Sequence, residues 1–165
     1  MDKHYYLVSQ LPYLFFDRPA LIDSARFLAE AEKWLAPSEL ALLKKIDVSS
    51  TTVQKGDLPV VRAFKEFEGN LRRELGEWRK AQKAHQDYKL SLFPLSLIKD
   101  GNPLTAEKNL MLLQWQAIDE MEKDHHFDTQ ILVLFYLKLQ LLERLAIFNK
   151  EQGLKKFKLY TEMEI

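Results

Sequence analysis

The stretch Arg62-Ala-Phe-Lys-Glu-Phe-Glu-Gly-Asn-Leu-Arg-Arg-Glu-Leu-Gly-Glu-Trp-Arg-Lys-Ala-Gln-Lys83 decides the fold class, because its apolar residues return at helical spacing. At about 100° per residue, Phe64, Phe67, Leu71, Leu75 and Trp78 fall on one side and form a core stripe. Arg62, Lys65, Arg72, Arg73, Arg79, Lys80 and Lys83 project from the back within an arc of about 120°. Gly69 and Gly76 lie inside that arc. Glycine in a helix interior costs roughly 1 kcal/mol against alanine. Two of them on a cationic face imply that something packs closely there.

Working outward, the long helix is predicted over about residues 59–88, with its apolar signal fading after Trp78. Upstream, Asp47 to Asp57 is polar and reads as a loop. Asp23 or Ser24 caps a helix carrying Phe27, Leu28, Ala31, Trp34 and Leu35, and Pro37 ends it. Ser38 opens a short helix. The aromatic opening His4 to Phe16 is broken by Pro12, and its periodicity leaves strand, helix and extended arm open.

Downstream, Leu90 to Leu104 contains Pro94, Asp100-Gly101 and Asn102-Pro103, yet its leucines and Phe93 place it across the core. Leu104 or Thr105 begins a helix with Leu110, Met111, Leu113, Ala117, Ile118 and Met121 inside. Asp128 caps the next, a central buried helix over about residues 128–152, apolar nearly all round from Ile131 to Phe148. Gly153 is its expected stop, and the tail adds a short helix or strand. The fold class is mostly α: one helical domain over 1–165, with 1–57 and 58–165 as candidate sub-lobes.

The 165 residues suffice for a sizeable core without staples. Cysteine is absent, which excludes disulfides, thiolate zinc sites and cysteine nucleophiles and fits a cytoplasmic setting. No secretory leader is legible in Met1 to Gln10. The longest apolar run, Ile131 to Leu137, falls far short of the about 20 residues a membrane span needs, so direct membrane insertion is not expected. Formal charge balances at zero, giving no global field to attract nucleic acid.

The candidate catalytic cluster is Asp124-His125-His126-Phe127-Asp128. Adjacent histidines diverge on a helix and on a strand, and the HExxH spacing that sets two on one face is missing. The plain reading is an interhelical turn with Asp128 as a cap. No GxSxG elbow or phosphate-binding glycine loop occurs. We therefore expect no catalytic residue, no metal and no cofactor.

Charge is uneven along the chain. Residues 62–83 are basic, whereas Asp119, Glu120, Glu122, Asp124 and Asp128 stand against Lys123 alone. The two regions face each other, or each faces a partner of opposite sign. Docking of an acidic helix makes use of the glycine notches, since a backbone can approach where no Cβ intervenes.

Several segments together resemble an uncharacterised bacterial family encoded among V-type ATPase genes. They are Tyr5-Tyr-Leu-Val-Ser-Gln-Leu-Pro12, Phe64 to Arg79, Asn102-Pro-Leu-Thr-Ala-Glu107, Trp115 with Asp119-Glu120, and the helix from Phe127-Asp128 to Glu143-Arg144. More distantly the chain is similar to the central-stalk subunit called C or d, an all-helical socket between rotor shaft and membrane ring. That subunit is longer and built from repeated lobes, and no internal repeat is visible here.

The resemblance implies a non-enzymatic stalk-type adaptor or assembly component. It implies V-type ATPase subunits (rotor shaft or membrane ring) as partners, and a place peripheral to the membrane through that complex. The expected contact residues are Arg62, Gly69, Arg72, Arg73, Gly76, Arg79 and Lys80, with the aromatic arm Tyr5 to Phe16 as apolar centre. The alternatives are a self-associating helical domain without an ATPase link, and a metal-dependent enzyme at His125 and His126.

Overall fold

A helix apolar on every side is satisfied only when neighbours cover it on several sides, and that requirement organises this molecule. The computed structural model describes residues 2–99 and 102–163. Among them are seven helices and no strand: α1 Asp2–Gln10, α2 Ser24–Trp34, α3 Pro37–Lys44, α4 Pro59–Lys83, α5 Ser96–Lys99, α6 Pro103–Glu122 and α7 Thr129–Met163. The fold is mostly α. The first half of α7 is the central element, packed against α1, α2, α3, α4 and α6. Leu132, Val133, Leu134, Leu139 and Leu141 are wholly buried there, each contributing about 1.5–3 kcal/mol through removal from water.

Polar side chains on α7 also serve the backbone of its neighbours. Gln140 accepts from the Val48 N–H at 2.7 Å and donates to the Ile46 carbonyl at 2.8 Å. Gln130 accepts from the Val60 N–H, and Glu143 accepts from the Ser24 N–H. Buried or half-buried backbone groups at helix ends need such partners, so α7 fixes where α2 and α4 begin. The larger apolar cluster joins Leu7, Phe27 and Leu43 to Val60, Met111 and Leu132, on both sides of residue 57.

Helix starts follow local capping. Asp23 accepts from the Arg26 N–H, Asn102 from the Thr105 N–H and Asp128 from the Ile131 N–H. The opening, which periodicity left undecided, is helical as α1 and then irregular from Leu11. Leu7 and Leu14 are buried, whereas Tyr13 is 81% exposed. The arm is thus half packed and half presented to solvent.

Two boundaries differ from expectation. The central helix does not stop at Gly153. It continues to Met163, because Glu151, Gln152, Leu154 and Lys155 are good helix formers and one glycine costs only about 1 kcal/mol. Phe148 packs against the core, whereas Leu154, Phe157, Leu159 and Tyr160 further along are all more than half exposed. The expected Asp100-Gly101 turn lies outside the described residues, as does Ile165.

The long helix is also shorter than expected, ending at Lys83 rather than 88. His85 takes a left-handed conformation, φ 53°. The Gln86 N–H returns to the Ala81 carbonyl and the His85 N–H to that of Gln82, closing the helix in a Schellman arrangement. Left-handed backbone costs a side-chain-bearing residue about 1–2 kcal/mol. We expect His85→Gly to raise stability by about 1 kcal/mol, read as a higher urea midpoint at unchanged slope.

After this turn the chain crosses the lower core as expected. Phe93 is buried with Leu71, Leu75 and Leu110, and Leu90, Leu97 and Ile98 pack on them. Glu74 fixes the crossing. Its carboxylate accepts from the Ser91 N–H, from the Ser91 hydroxyl at 2.9 Å and from the Leu92 N–H at 3.1 Å.

Burial alone pushes the Glu74 carboxyl up, but these hydrogen bonds outweigh it and hold it below its ordinary 4.5. Glu39 is lowered likewise against burial, chiefly through the Ala36 N–H and Thr129. A carboxyl lowered on folding adds stability above its unfolded value, lost as pH falls through the folded one. The denaturant midpoint is therefore expected to fall on going from about pH 5 to about pH 3, and Glu74→Gln to flatten part of that decline.

Candidate functional site

The outward side of α4 is set by its inward stripe. Val60, Phe64, Leu71 and Leu75 are buried, so residues on the far side of a 3.6-residue helix meet solvent. Arg62, Arg73, Arg79 and Lys80 are all exposed. Arg73 and Arg79 make no hydrogen bond or ion pair among the described residues. Arg62 acts on Asp57 at a distance, and Lys80 reaches Glu77 at 3.5 Å. Solvent-exposed i,i+3 pairs of that kind are weak, so Lys80 is easily recruited elsewhere.

Gly69 and Gly76 stand where sequence spacing put them, on this face, and a Cβ at either would meet nothing within 4 Å. The notches are open. No part of the molecule itself packs into them among the described residues.

Two of the cations read as one face are occupied. Lys65 leaves the arc: it is buried and donates to Asp57 at 2.8 Å. The sequence cannot show that the 47–57 loop returns beneath the first turns of α4. Arg72 is half committed. Its Nε donates to Glu68 at 2.9 Å and its terminal nitrogen to the Ser49 carbonyl at 2.9 Å. Glu68 is 3% exposed and also accepts from the Gln114 side-chain amide. Arg72 therefore holds a buried carboxylate first and serves the surface second.

The acidic stretch does not cover the basic face. Asp119 and Glu122 instead converge on Lys138 of α7 at 2.6 and 2.8 Å, and Lys138 lies 4.9 Å from the Trp115 ring centroid. Glu120 pairs with Lys123, three residues away. Lys138 was legible only as an interruption of an apolar run. That interruption is the signal: a lysine on a helix otherwise buried all round needs a carboxylate partner, and α6 supplies two.

His125 donates through Nδ1 to Asp128 at 2.7 Å, beside the α7 cap, while His126 is exposed. The described residues contain no group of three or more His, Cys, Asp or Glu arranged to hold a metal ion. The aromatic arm contributes a surface of its own. Tyr6 stacks on Trp34 with centroids 5.6 Å apart and Tyr5 leans on Phe127 at 4.8 Å, all three exposed aromatics remaining about half open. No described helix is long and apolar enough to cross a membrane.

Residues 80–163 match the family model described as a protein of unknown function, DUF2764. No curated protein and no solved structure matches the chain. The match covers the end of α4 and all of α5, α6 and α7 to Met163.

Proposed function

This chain belongs to the DUF2764 family, and from that premise we propose that it is a non-enzymatic docking protein whose α4 face binds an acidic protein helix. The observation that carries the reading is the pairing of unengaged Arg73 and Arg79 with open notches at Gly69 and Gly76 on one exposed helix side. Cations without internal partners lose nothing on meeting a carboxylate, and they orient an encounter more than they tighten it. The exposed aromatics of α1 and the arm offer apolar area that such charges cannot supply.

The resemblance to proteins encoded with V-type ATPases makes rotor-shaft or membrane-ring subunits the partners to test. In this reading the protein is a stalk-type adaptor or assembly component, peripheral to the membrane through the complex. Mixing purified chain with purified shaft or ring subunits is expected to give a comigrating complex on gel filtration. Separate elution from every subunit at low ionic strength would overturn the ATPase assignment.

A second reading, self-association, is favoured by one observation. Leu154, Phe157, Leu159 and Tyr160 are exposed on the end of α7 that runs beyond the core. Sedimentation equilibrium separates the two. A concentration-dependent dimer that Phe157→Lys converts to monomer would support self-association there, and a monomer at all concentrations removes it.

A further inference from the structure

Below the exposed face, α4, α6 and α7 enclose a cleft of about 260 Å³. Its floor is apolar: Leu71, Leu75, Leu110 and Met111. Its rim carries Arg79, Arg144 and Glu107, and Arg72, Glu68 and Gln114 stand in its wall, three guanidiniums against two carboxylates. The Gln114 amide nitrogen donates to the Glu68 carboxylate, which can only accept, so the orientation of the amide is fixed. The other end, Oε1, is buried and has no hydrogen-bond partner among the described residues, Gln114 as a whole being 5% exposed. A buried acceptor left unmade costs about 1–3 kcal/mol. The nearby cations are unequally engaged. Arg79 has no partner among the described residues, and Arg144 makes a long ion pair to Glu107 at 3.9 Å and lies 5.9 Å from the Phe148 ring centroid.

We infer that this cleft seats one glutamate side chain of the acidic helix, an inference that rests on the docking function proposed above and gives the partner its anchoring residue. The aliphatic stem lies on the leucine and methionine floor. The carboxylate draws the Arg79 guanidinium across the mouth of the cleft, with Arg144 on the far side. A guanidinium has five N–H donors, so Arg79 then donates to the bound carboxylate and to Gln114 Oε1 together. In the occupied state the acceptor thereby gains a protein donor. Arg72 is matched by Glu68 and Arg144 by Glu107, so Arg79 is the cation in excess, and an apolar floor beside it selects a carboxylate on an aliphatic stem over a bare inorganic anion, which would leave the floor uncovered.

The test is an NMR titration of the full chain with a capped, glutamate-bearing helical peptide, with the glutamine-substituted peptide and inorganic phosphate as controls. The glutamate peptide is expected to shift the Gln114 side-chain amide and Arg79 Nε–H resonances, with the glutamine peptide and phosphate leaving them in place. Arg144→Gln, a half-exposed α7 residue outside the α4 face, is expected to weaken binding about tenfold. Arg79→Gln does the same, and an unchanged melting temperature shows that each variant is folded.

If Arg73→Gln weakens the peptide but Arg144→Gln does not, the cleft is overturned and the α4 face stands. The reverse pattern supports the cleft as the anchor and shows that Arg73 takes no part in the docking face. Absence of binding, or equal shifts with phosphate, overturns the cleft, and comigration with ATPase subunits judges the wider reading separately.

Discussion

Phe27→Ala is expected to cost about 3–5 kcal/mol of stability, the largest effect of any substitution considered. Phe27 on α2 is wholly buried. Its ring lies 5.1 Å from that of Phe135 and 5.6 Å from that of Tyr136, both on α7. Truncation removes the transfer term, leaves a cavity, and breaks two aromatic contacts worth about 0.5–1.5 kcal/mol each. Because those rings join the amino-terminal helices to the central one, collapse around the gap is hindered from both sides. Equilibrium urea unfolding checks it. A loss below about 1 kcal/mol would mean that α2 does not pack on α7 as described.

Arg72→Ala is expected to cost about 2–3 kcal/mol, whereas Arg73→Ala, its neighbour in sequence, changes stability by less than about 0.5 kcal/mol. The difference lies in what each leaves behind. Arg73 has no partner to strand among the described residues. Arg72 is the only cation on Glu68 among the described residues, and Glu68 is buried with its second oxygen held by Gln114. Breaking a buried pair from one side costs about 3–5 kcal/mol; Arg72 itself is half exposed, and solvent screening brings the figure below that range. Glu68→Gln, which removes the stranded charge, should restore part of the loss in the Arg72→Ala background. Equal, small effects of both arginine substitutions would contradict the assignment of Glu68 as a buried carboxylate.

This contrast also marks how far the sequence could be read. The stripe from Phe64 to Trp78 and the caps at Asp23 and Asp128 follow from local spacing, and the structure has them, whereas the helix expected from Leu104 or Thr105 begins at Pro103 with Asn102 as its cap. What was not legible depends on distant segments. Lys65 looked like part of a cationic arc because its partner Asp57 sits in a loop whose return path no helix period encodes. Gln130, Gln140 and Glu143 carry no local signal of their role; they bind the backbone of Val60, Val48 and Ser24, at sequence separations of 70, 92 and 119 residues. Gly153 misled for a different reason. Its cost in a helix is small enough for the residues around it to override.

Of the seven residues read as a contact surface, Arg62, Gly69, Arg73, Gly76, Arg79 and Lys80 share an outward side, and Arg72 is diverted inward to Glu68. Arg144 and Gln114, which complete the cleft, lie on α7 and α6. A helical-wheel reading of α4 alone has no means of finding them.

The measurement that bears most directly on the docking account is titration calorimetry of purified ATPase shaft and ring subunits into wild-type chain and into the Arg73→Glu/Arg79→Glu double variant, at low and at high salt. The account predicts binding to one subunit that weakens as salt rises. It also predicts at least about tenfold lower affinity for the double variant, whose melting temperature stays at the wild-type value. Binding that ignores both the salt and the charge reversal would place the contact elsewhere on the molecule and contradict the account.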